Sequence, residues 1–311
     1  MTQADAEELA DWLGVILART TEREKRLIYE CRLRQSIYQV DTANTTPEPI
    51  FNHSSNVTID TLEIVQELKG QKDRLPIIVF CMRIQDTYTL ARAYGARYPA
   101  TNPETHSTLF GYEPETQTES LLASYIPRRF ALHNADLSEE ERSLVEQAIA
   151  QRKVDVVFST STLAAGVNFP FGSAVFHTWT RYDSDRHQRI PIDMSEFQNM
   201  AGRAGRMGTD HEFGLVIYTA VSSQELMSCR RYLDVQNYTR LTPRIAPTSF
   251  ERLILQLASA GICDSEEDTY ALLASTFSGK RAAARTEEAL FTWQSEIEPV
   301  VNTLRKTGCI I

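Results

Sequence analysis

Short, almost wholly apolar runs alternate with longer amphipathic ones between residues 75 and 220. Ile77-Ile78-Val79-Phe80-Cys81 follows Pro76, and Val154-Asp155-Val156-Val157-Phe158 has one charge among β-branched and aromatic residues. Neither run shows the in–out alternation of a half-exposed strand, so each must be covered on both faces. Residues 86–98 read as a helix, giving one strand–helix unit. Ala131-Leu132-His133-Asn134-Ala135-Asp136-Leu137 leads into a helix capped at Ser138-Glu139-Glu140-Glu141. Further strand signals fall at 174–176 and 214–218. Alternation of this kind folds as an α/β domain around a parallel sheet sandwiched by helices.

The flanks have a different character. Residues 6–14 form an amphipathic helix ending at Gly14, and residues 42–55, with Pro47 and Pro49, read as a linker. Ile59, Leu62, Val65 and Leu68 stand at helical spacing, and Gly70 ends that run. Residues 102–125 are polar and read as an insertion or long loop. From about residue 221 helices dominate: one after Thr248-Ser249 with Leu253, Ile254 and Leu257, a second over 268–277, a third over 286–304. Gly308-Cys309-Ile310-Ile311 reads as an edge strand. With 311 residues, 42% of them hydrophobic, the chain has room for roughly two cores.

Composition excludes some classes. A net charge of −9 argues against a generally basic nucleic-acid coat, though not against a local groove. The five cysteines, Cys31, Cys81, Cys229, Cys263 and Cys309, form no Cys-x-x-Cys pair, which fits a reducing cytoplasm better than a metal or disulfide framework. His177 and His187 have no partners at metal-ligand spacing, so no metal site is expected. No apolar run approaches about 18 residues and there is no basic-then-apolar leader, so a cytoplasmic chain without membrane contact is expected.

Two stretches carry chemistry. In Gln198-Asn199-Met200-Ala201-Gly202-Arg203-Ala204-Gly205-Arg206-Met207-Gly208 two arginines stand three residues apart, on one face if the segment is helical. The glycines permit close approach of a phosphate or a facing backbone. Ser195-Glu196-Phe197-Gln198 reads as a capping box. Paired guanidiniums suit a polyphosphate whose charge grows in a transition state; a Gly-rich turn with two surface arginines fits the same spacing. Upstream, Ser159-Thr160-Ser161-Thr162-Leu163-Ala164-Ala165-Gly166-Val167-Asn168-Phe169-Pro170 puts a hydroxyl cluster where a strand opens into a loop, the usual ligand edge of an α/β sheet.

Together these stretches resemble motifs V and VI of superfamily-two helicases, most closely the Ski-like branch related to DEAD/DExH-box enzymes. The resemblance implies a RecA-like second lobe over 46–220. It implies the tail of a first lobe plus linker over 1–45 and a mostly helical winged-helix domain over 221–311. It implies Arg206 as an arginine finger, Arg203 sharing the charge and Gln198 orienting nucleotide or water. Gly202 and Asn168 would stand beside the ATP, Asn168 linking that cleft to the nucleic acid. Arg83, which ends the strand resembling motif IV, would grip single-stranded or tailed duplex nucleic acid with His133, Asn134, Thr160, Thr162 and Gly166. Residues 182–189, with Tyr182, Arg186, His187 and Arg189, suit the tip of a strand-separating hairpin; a solvated loop fits them equally.

The first-lobe signatures are absent from this sequence. Its one Gly-Lys pair, Gly279-Lys280, has Ala274 and Arg281 where a phosphate loop needs glycine and a hydroxyl residue, and reads as a helix C-terminal cap. No Asp-Glu dipeptide occurs. The expectation is therefore a C-terminal helicase part, inactive alone, with ATP and Mg held mainly by a first lobe in cis or in trans. A non-enzymatic nucleic-acid-binding or partner-binding module derived from such a lobe is the alternative.

Overall fold

The computed structural model describes residues 3–18, 25–33, 36–39, 56–98, 114–164, 169, 171–183, 187–205, 211–232, 241, 245, 249–285 and 287–310. In chain order the elements are α1 (Gln3–Leu13), β1 (Leu27–Leu33), β2 (Ser36–Gln39), α2 (Val57–Lys69), β3 (Ile77–Phe80), α3 (Ile84–Arg97), α4 (Gln117–Tyr125) and β4 (Phe130–His133). There follow α5 (Glu139–Ala150), β5 (Val156–Ser159), β6 (Ser173–Phe176), β7 (Thr180–Asp183), β8 (Gln188–Pro191), α6 (Met194–Ala201), β9 (Gly214–Ala220) and α7 (Ser223–Ser228). The chain ends with α8 (Phe250–Ser259), α9 (Glu266–Ser275), α10 (Phe277–Arg285) and α11 (Glu287–Lys306).

Two compact units result: Thr20–Tyr238, and Met1–Arg19 together with Thr239–Ile311. The first is built on a seven-stranded sheet ordered β2-β1-β9-β6-β3-β5-β4. All neighbours pair in parallel except β2 with β1. Every residue of β3, β4, β5, β6 and β9 is buried, as strands that are mostly apolar and covered on both faces require. Flanking helices cover the sheet; α3 packs on β4 and β5, and α2 on β3 and β9. This is the expected RecA-like α/β architecture, followed by a helical C-terminal region.

Asn56 caps α2 by accepting from the amides of Thr58 and Ile59, and Ser138 closes a capping box with Glu141 on α5. Residues 114–125, read as part of a long loop, instead contain α4. Thr116 and Glu119 form its capping box, which outweighs the polar composition of the segment. The expected linker over 42–55 lies outside the described residues.

The boundaries differ from those read in sequence, 1–45, 46–220 and 221–311. β1 pairs in parallel with β9 along its whole length, Leu27 opposite Gly214 through Leu33 opposite Ala220, so residues 27–33 are part of this sheet. α7 and the 3-10 turn Cys229–Tyr232 also belong to the sheet unit. Residues 1–19 cluster instead with the C-terminal helices.

In that helical unit Phe250, Ile254, Leu273, Trp293, Ile297, Val301 and Leu304 form the core. Phe250 meets Trp293 edge-on, with centroids 5.2 Å apart. Gly279 is not a C-terminal cap. It lies in the first turn of α10, where a Cβ would come within 2.4 Å of the Ala274 carbonyl oxygen. Nor is there an edge strand over 308–310. Gly308 takes φ +73°, and the amides of Cys309 and Ile310 turn back to the Leu304 carbonyl, ending α11 in a reversing cap. No strand of a wing occurs among the described residues of this unit. No helix of the described chain is long and apolar enough to cross a membrane.

α1 is held in this unit by charge as well as packing. Asp5 is fully buried; it pairs with Arg281 and accepts from the Leu241 amide at 3.0 Å. Arg281 Nε also reaches Glu8 at 2.6 Å. Removing the guanidinium strands a buried carboxylate, which costs about 3 kcal/mol. Arg281→Ala is therefore expected to lower the unfolding free energy by about that amount. Urea titration followed by tryptophan fluorescence measures it; an unshifted transition contradicts the assignment of Arg281 as the counter-ion.

Candidate functional site

Four adjacent parallel strands end at one level. Phe80, at the end of β3, stands opposite Ser159 of β5 and Phe176 of β6, and His133 of β4 stands opposite Ser159. Pairing continues one step further: Cys81 N donates to Ser159 O at 2.8 Å, Thr160 N to His133 O at 3.1 Å and His177 N to Phe80 O at 3.0 Å. The loops after β3, β4 and β5 therefore open side by side. They bring together Arg83, His133, Asn134, Thr160 and Thr162, residues spread over 80 positions of sequence. Gly166 and Asn168 lie outside the described residues.

These five side chains divide by exposure. Thr162 is exposed on the 3-10 turn Ser161–Ala164. The Arg83 side chain is 59% exposed, and its guanidinium donates to both carboxylate oxygens of Asp86, at 2.9 and 3.1 Å. Asn134 is wholly buried and both ends of its amide are committed. Nδ2 donates to Thr87 Oγ1 at 2.8 Å, and Oδ1 accepts from the Asp136 amide at 2.9 Å. His133 is 2% exposed and lies between two partners, Glu146 at 3.2 Å from Nε2 and Thr162 at 3.3 Å from Nδ1. Thr160 and Thr162 hydroxyls are 3.0 Å apart. Burial keeps the His133 ring below its ordinary value of 6.5, against the pull of Glu146. Thr162 and Arg83 are thus the exposed side chains of this edge, with His133 and Asn134 buried behind them. Thr87 and Glu146 were invisible in sequence: each is an ordinary polar residue on an amphipathic helix.

The second cluster surrounds α6. Its N-cap is Asp193, so Ser195 lies inside the helix and the expected capping box does not form. Met194, Phe197, Met200 and Ala201 form the buried face. Phe197 is sandwiched between Phe176 and Tyr232, with centroids 4.4 Å away on either side. Gln198 is tied at both ends: its Oε1 accepts from Tyr29 Oη at 3.0 Å, and its Nε2 donates to the Tyr232 carbonyl. Tyr29, on β1, was missed because its segment was assigned to the first lobe.

The helix stops at Ala201 with Gly202 as its C-cap, so Arg203 lies beyond it. Arg203 is 5% exposed; Arg206 lies outside the described residues. The chain then forms a parallel bridge between Ala204 and Phe171. Gly205 takes φ +58°, donates to the Phe171 carbonyl at 2.8 Å and runs so close to Gly214 that a Cβ would lie 2.4 Å from the Gly214 nitrogen. This glycine therefore serves a facing backbone.

The segment between the two clusters is a hairpin. β7 and β8 pair antiparallel, Thr180 with Pro191 through Asp183 with Gln188. Tyr182 is 62% exposed near the tip, and Arg181 anchors the base by pairing with Glu196 of α6. His187 has φ +49° in the turn. Arg189 folds back on Thr180, donating to Oγ1 at 3.1 Å and to the carbonyl at 3.2 Å, so it does not project from the tip. Arg186 lies outside the described residues. Among the described residues no group of three or more His, Cys, Asp or Glu could hold a metal ion.

A parallel sheet thus opens a cluster of loops at one edge, with the end of α6 beside it. Residues 60–208 match the model of the helicase conserved C-terminal domain. The chain is similar to ATP-dependent DNA helicase Hel308 of Aeropyrum pernix, 46% identical over 99 residues, which cover 32% of this chain and 13% of that protein. The Pyrobaculum calidifontis protein of the same name is 28% identical over 315 residues, 99% of this chain and 42% of its own length. That of Thermoplasma volcanium is 28% identical over 233 residues, 75% of this chain and 32% of its own. The chain spans less than half the length of these relatives.

Gly205→Ala combines a left-handed backbone with a clash against Gly214. It is expected to cost about 3 kcal/mol of stability. Chemical denaturation followed by circular dichroism checks this; a variant as stable as the parent contradicts the geometry.

Proposed function

We propose that the chain is the C-terminal motor lobe and following helical module of an ATP-dependent DNA helicase of the Ski-like branch. The observation that carries the reading is the in-register edge of β3, β4 and β5, which brings Arg83, Thr160 and Thr162 to one rim of a lobe matching the helicase C-terminal domain. Hydroxyls and amides at such a rim hold a backbone without reading sequence. DNA is the favoured strand because the similar proteins are named as DNA helicases. The C-terminal helices are assigned to the module that follows the second lobe in that branch.

ATP fits the other cluster in the character of its donors. Arg206 is the arginine finger; Gln198 and Gly202 line the nucleotide side, Arg203 adds charge from beneath and Asn168 couples the two faces. Bound ATP supplies a phosphoanhydride whose cleavage makes lobe closure reversible. Mg and the triphosphate cradle come with a first lobe in cis or in trans. For Gln198 to reach nucleotide it must exchange the Tyr29 hydroxyl for a ligand atom.

Two outcomes follow for the motor. Residues 1–311 alone are expected to release no phosphate from ATP, with or without single-stranded DNA, because the sequence holds no phosphate loop and no Asp-Glu pair. Joined to a first lobe, Arg206→Ala is expected to lower kcat by roughly 10³ to 10⁵ with little change in strand affinity. Steady-state phosphate release and fluorescence anisotropy separate the two. Loss of binding with kcat retained assigns Arg206 to the strand groove. Full activity of the isolated chain contradicts the need for a first lobe.

The β7–β8 hairpin is proposed as the wedge that holds back a duplex while the motor draws one strand. Replacing residues 183–187 with Gly and Ser in the joined protein is expected to leave strand-stimulated ATPase near normal and to slow unwinding of a tailed duplex. Unwinding at the parental rate reduces the hairpin to a solvated loop.

A further inference from the structure

His133 is the hub of a polar chain running from α5 to the rim, and its two nitrogens have different partners. A carboxylate can only accept, so Nε2 carries a proton and donates to Glu146. In a neutral ring Nδ1 is then an acceptor, and the Thr162 hydroxyl must donate to it. The Thr160 hydroxyl, 3.0 Å away, in turn donates to Thr162. Both hydroxyl protons therefore point inward. A phosphate oxygen is also only an acceptor, so in this state the two threonines offer it lone pairs rather than protons.

An imidazolium removes the conflict. Both of its nitrogens donate: Nε2–H to Glu146 as before, and Nδ1–H to Thr162 Oγ1. The Thr162 hydroxyl is then released to turn outward, and Thr160 with it. We propose that Glu146–His133–Thr162–Thr160 is a proton-coupled phosphate grip, in which an entering DNA phosphate turns the threonine hydroxyls outward and draws one solvent proton onto His133 Nδ1. One N–H bond forms at the ring, no bond of the DNA breaks, and the new positive charge lies between the Glu146 carboxylate and the phosphate. Glu146 is the positioning residue: it fixes the tautomer and compensates the imidazolium. The inference rests on the rim being the strand-binding face, as proposed above.

The groups around the ring pull its protonation in both directions. Burial opposes the charged ring, Glu146 favours it and Arg142, also on α5, opposes it. The turn after β5 presents hydroxyls. On α3, Thr87 and Tyr88 serve Asn134, while Arg83 and Asp86 pair with each other. On α4, Glu119 accepts from its own capping amides, and Arg129 pairs with Asp155 at the far end of β4. The other buried histidine nearby, His177, is pushed down to about 4 by burial.

Because the free ring is depressed and phosphate raises it, binding takes up a proton. Affinity is greatest below the free value and falls as pH rises through the window up to the bound value, by at most about tenfold per pH unit. The test titrates the 311-residue chain with fluorescein-labelled oligo-dT from about pH 5.5 to 8. Calorimetry in two buffers of different ionisation enthalpy counts the protons. The parent is expected to lose affinity with rising pH and to take up as much as about one proton. Glu146→Gln keeps a neutral partner at a side chain that is 34% exposed, so the fold is retained. It is expected to flatten the pH profile and cut the uptake while converging on the parent at high pH. Binding without proton uptake overturns the grip, as does an unchanged pH profile in Glu146→Gln. Absence of binding at every pH overturns the strand-binding reading itself.

Discussion

Parallel pairing carried one residue past the strand ends is the interaction on which the rest of the lobe depends. The bonds from Cys81 to Ser159, from Thr160 to His133 and from His177 to Phe80 fix where three loops begin. A slip of one residue in any of these strands would exchange its buried faces and move a rim residue by about 3.3 Å. Full burial of the strands makes such a slip costly. The rim's geometry is therefore inherited from the core, and short side chains such as threonine suffice at it because the backbone has already been positioned.

The α6 cluster depends on the same sheet in a different way. Phe176 leaves β6 at the common edge and stacks on Phe197, which stacks on Tyr232. Each such pair contributes about 1 kcal/mol beyond its buried area. The Gly205–Gly214 approach then pins the turn after the helix against the start of β9. Between these two fixings stand Gln198 and Arg203. Gln198 is held by β1 and by the turn after α7, so three distant stretches of chain meet at one side chain. α6 is thus tied to the sheet through Phe197, through Gln198 and through the turn that follows it.

The central sheet was legible in sequence because a fully buried parallel strand leaves a largely apolar run, as in Ile77–Phe80 and in Val156-Val157-Phe158. β1 was not. Its Glu30 and Arg32 look like a surface segment, yet they pair with each other, and Arg32 also pairs with Glu67 of α2. α4 was hidden by polar composition, and the α9–α10 junction by a Gly-Lys pair that mimics a helix end. At the rim, the resemblance singled out His133 and Asn134 but could not reveal that both are buried. That distinction depends on Thr87 and Glu146, whose spacing carries no signal. The sequence placed Arg203 on a helix only conditionally, and the helix ends at Ala201, before it.

The claim that the carboxyl edge of β3, β4 and β5 is the strand-binding face is tested most directly by hydrogen–deuterium exchange of the whole chain with and without oligo-dT. The account predicts slower exchange in peptides covering residues 81–87, 133–137 and 160–163. Slowing confined to α8–α11, with those three segments unchanged, would contradict it.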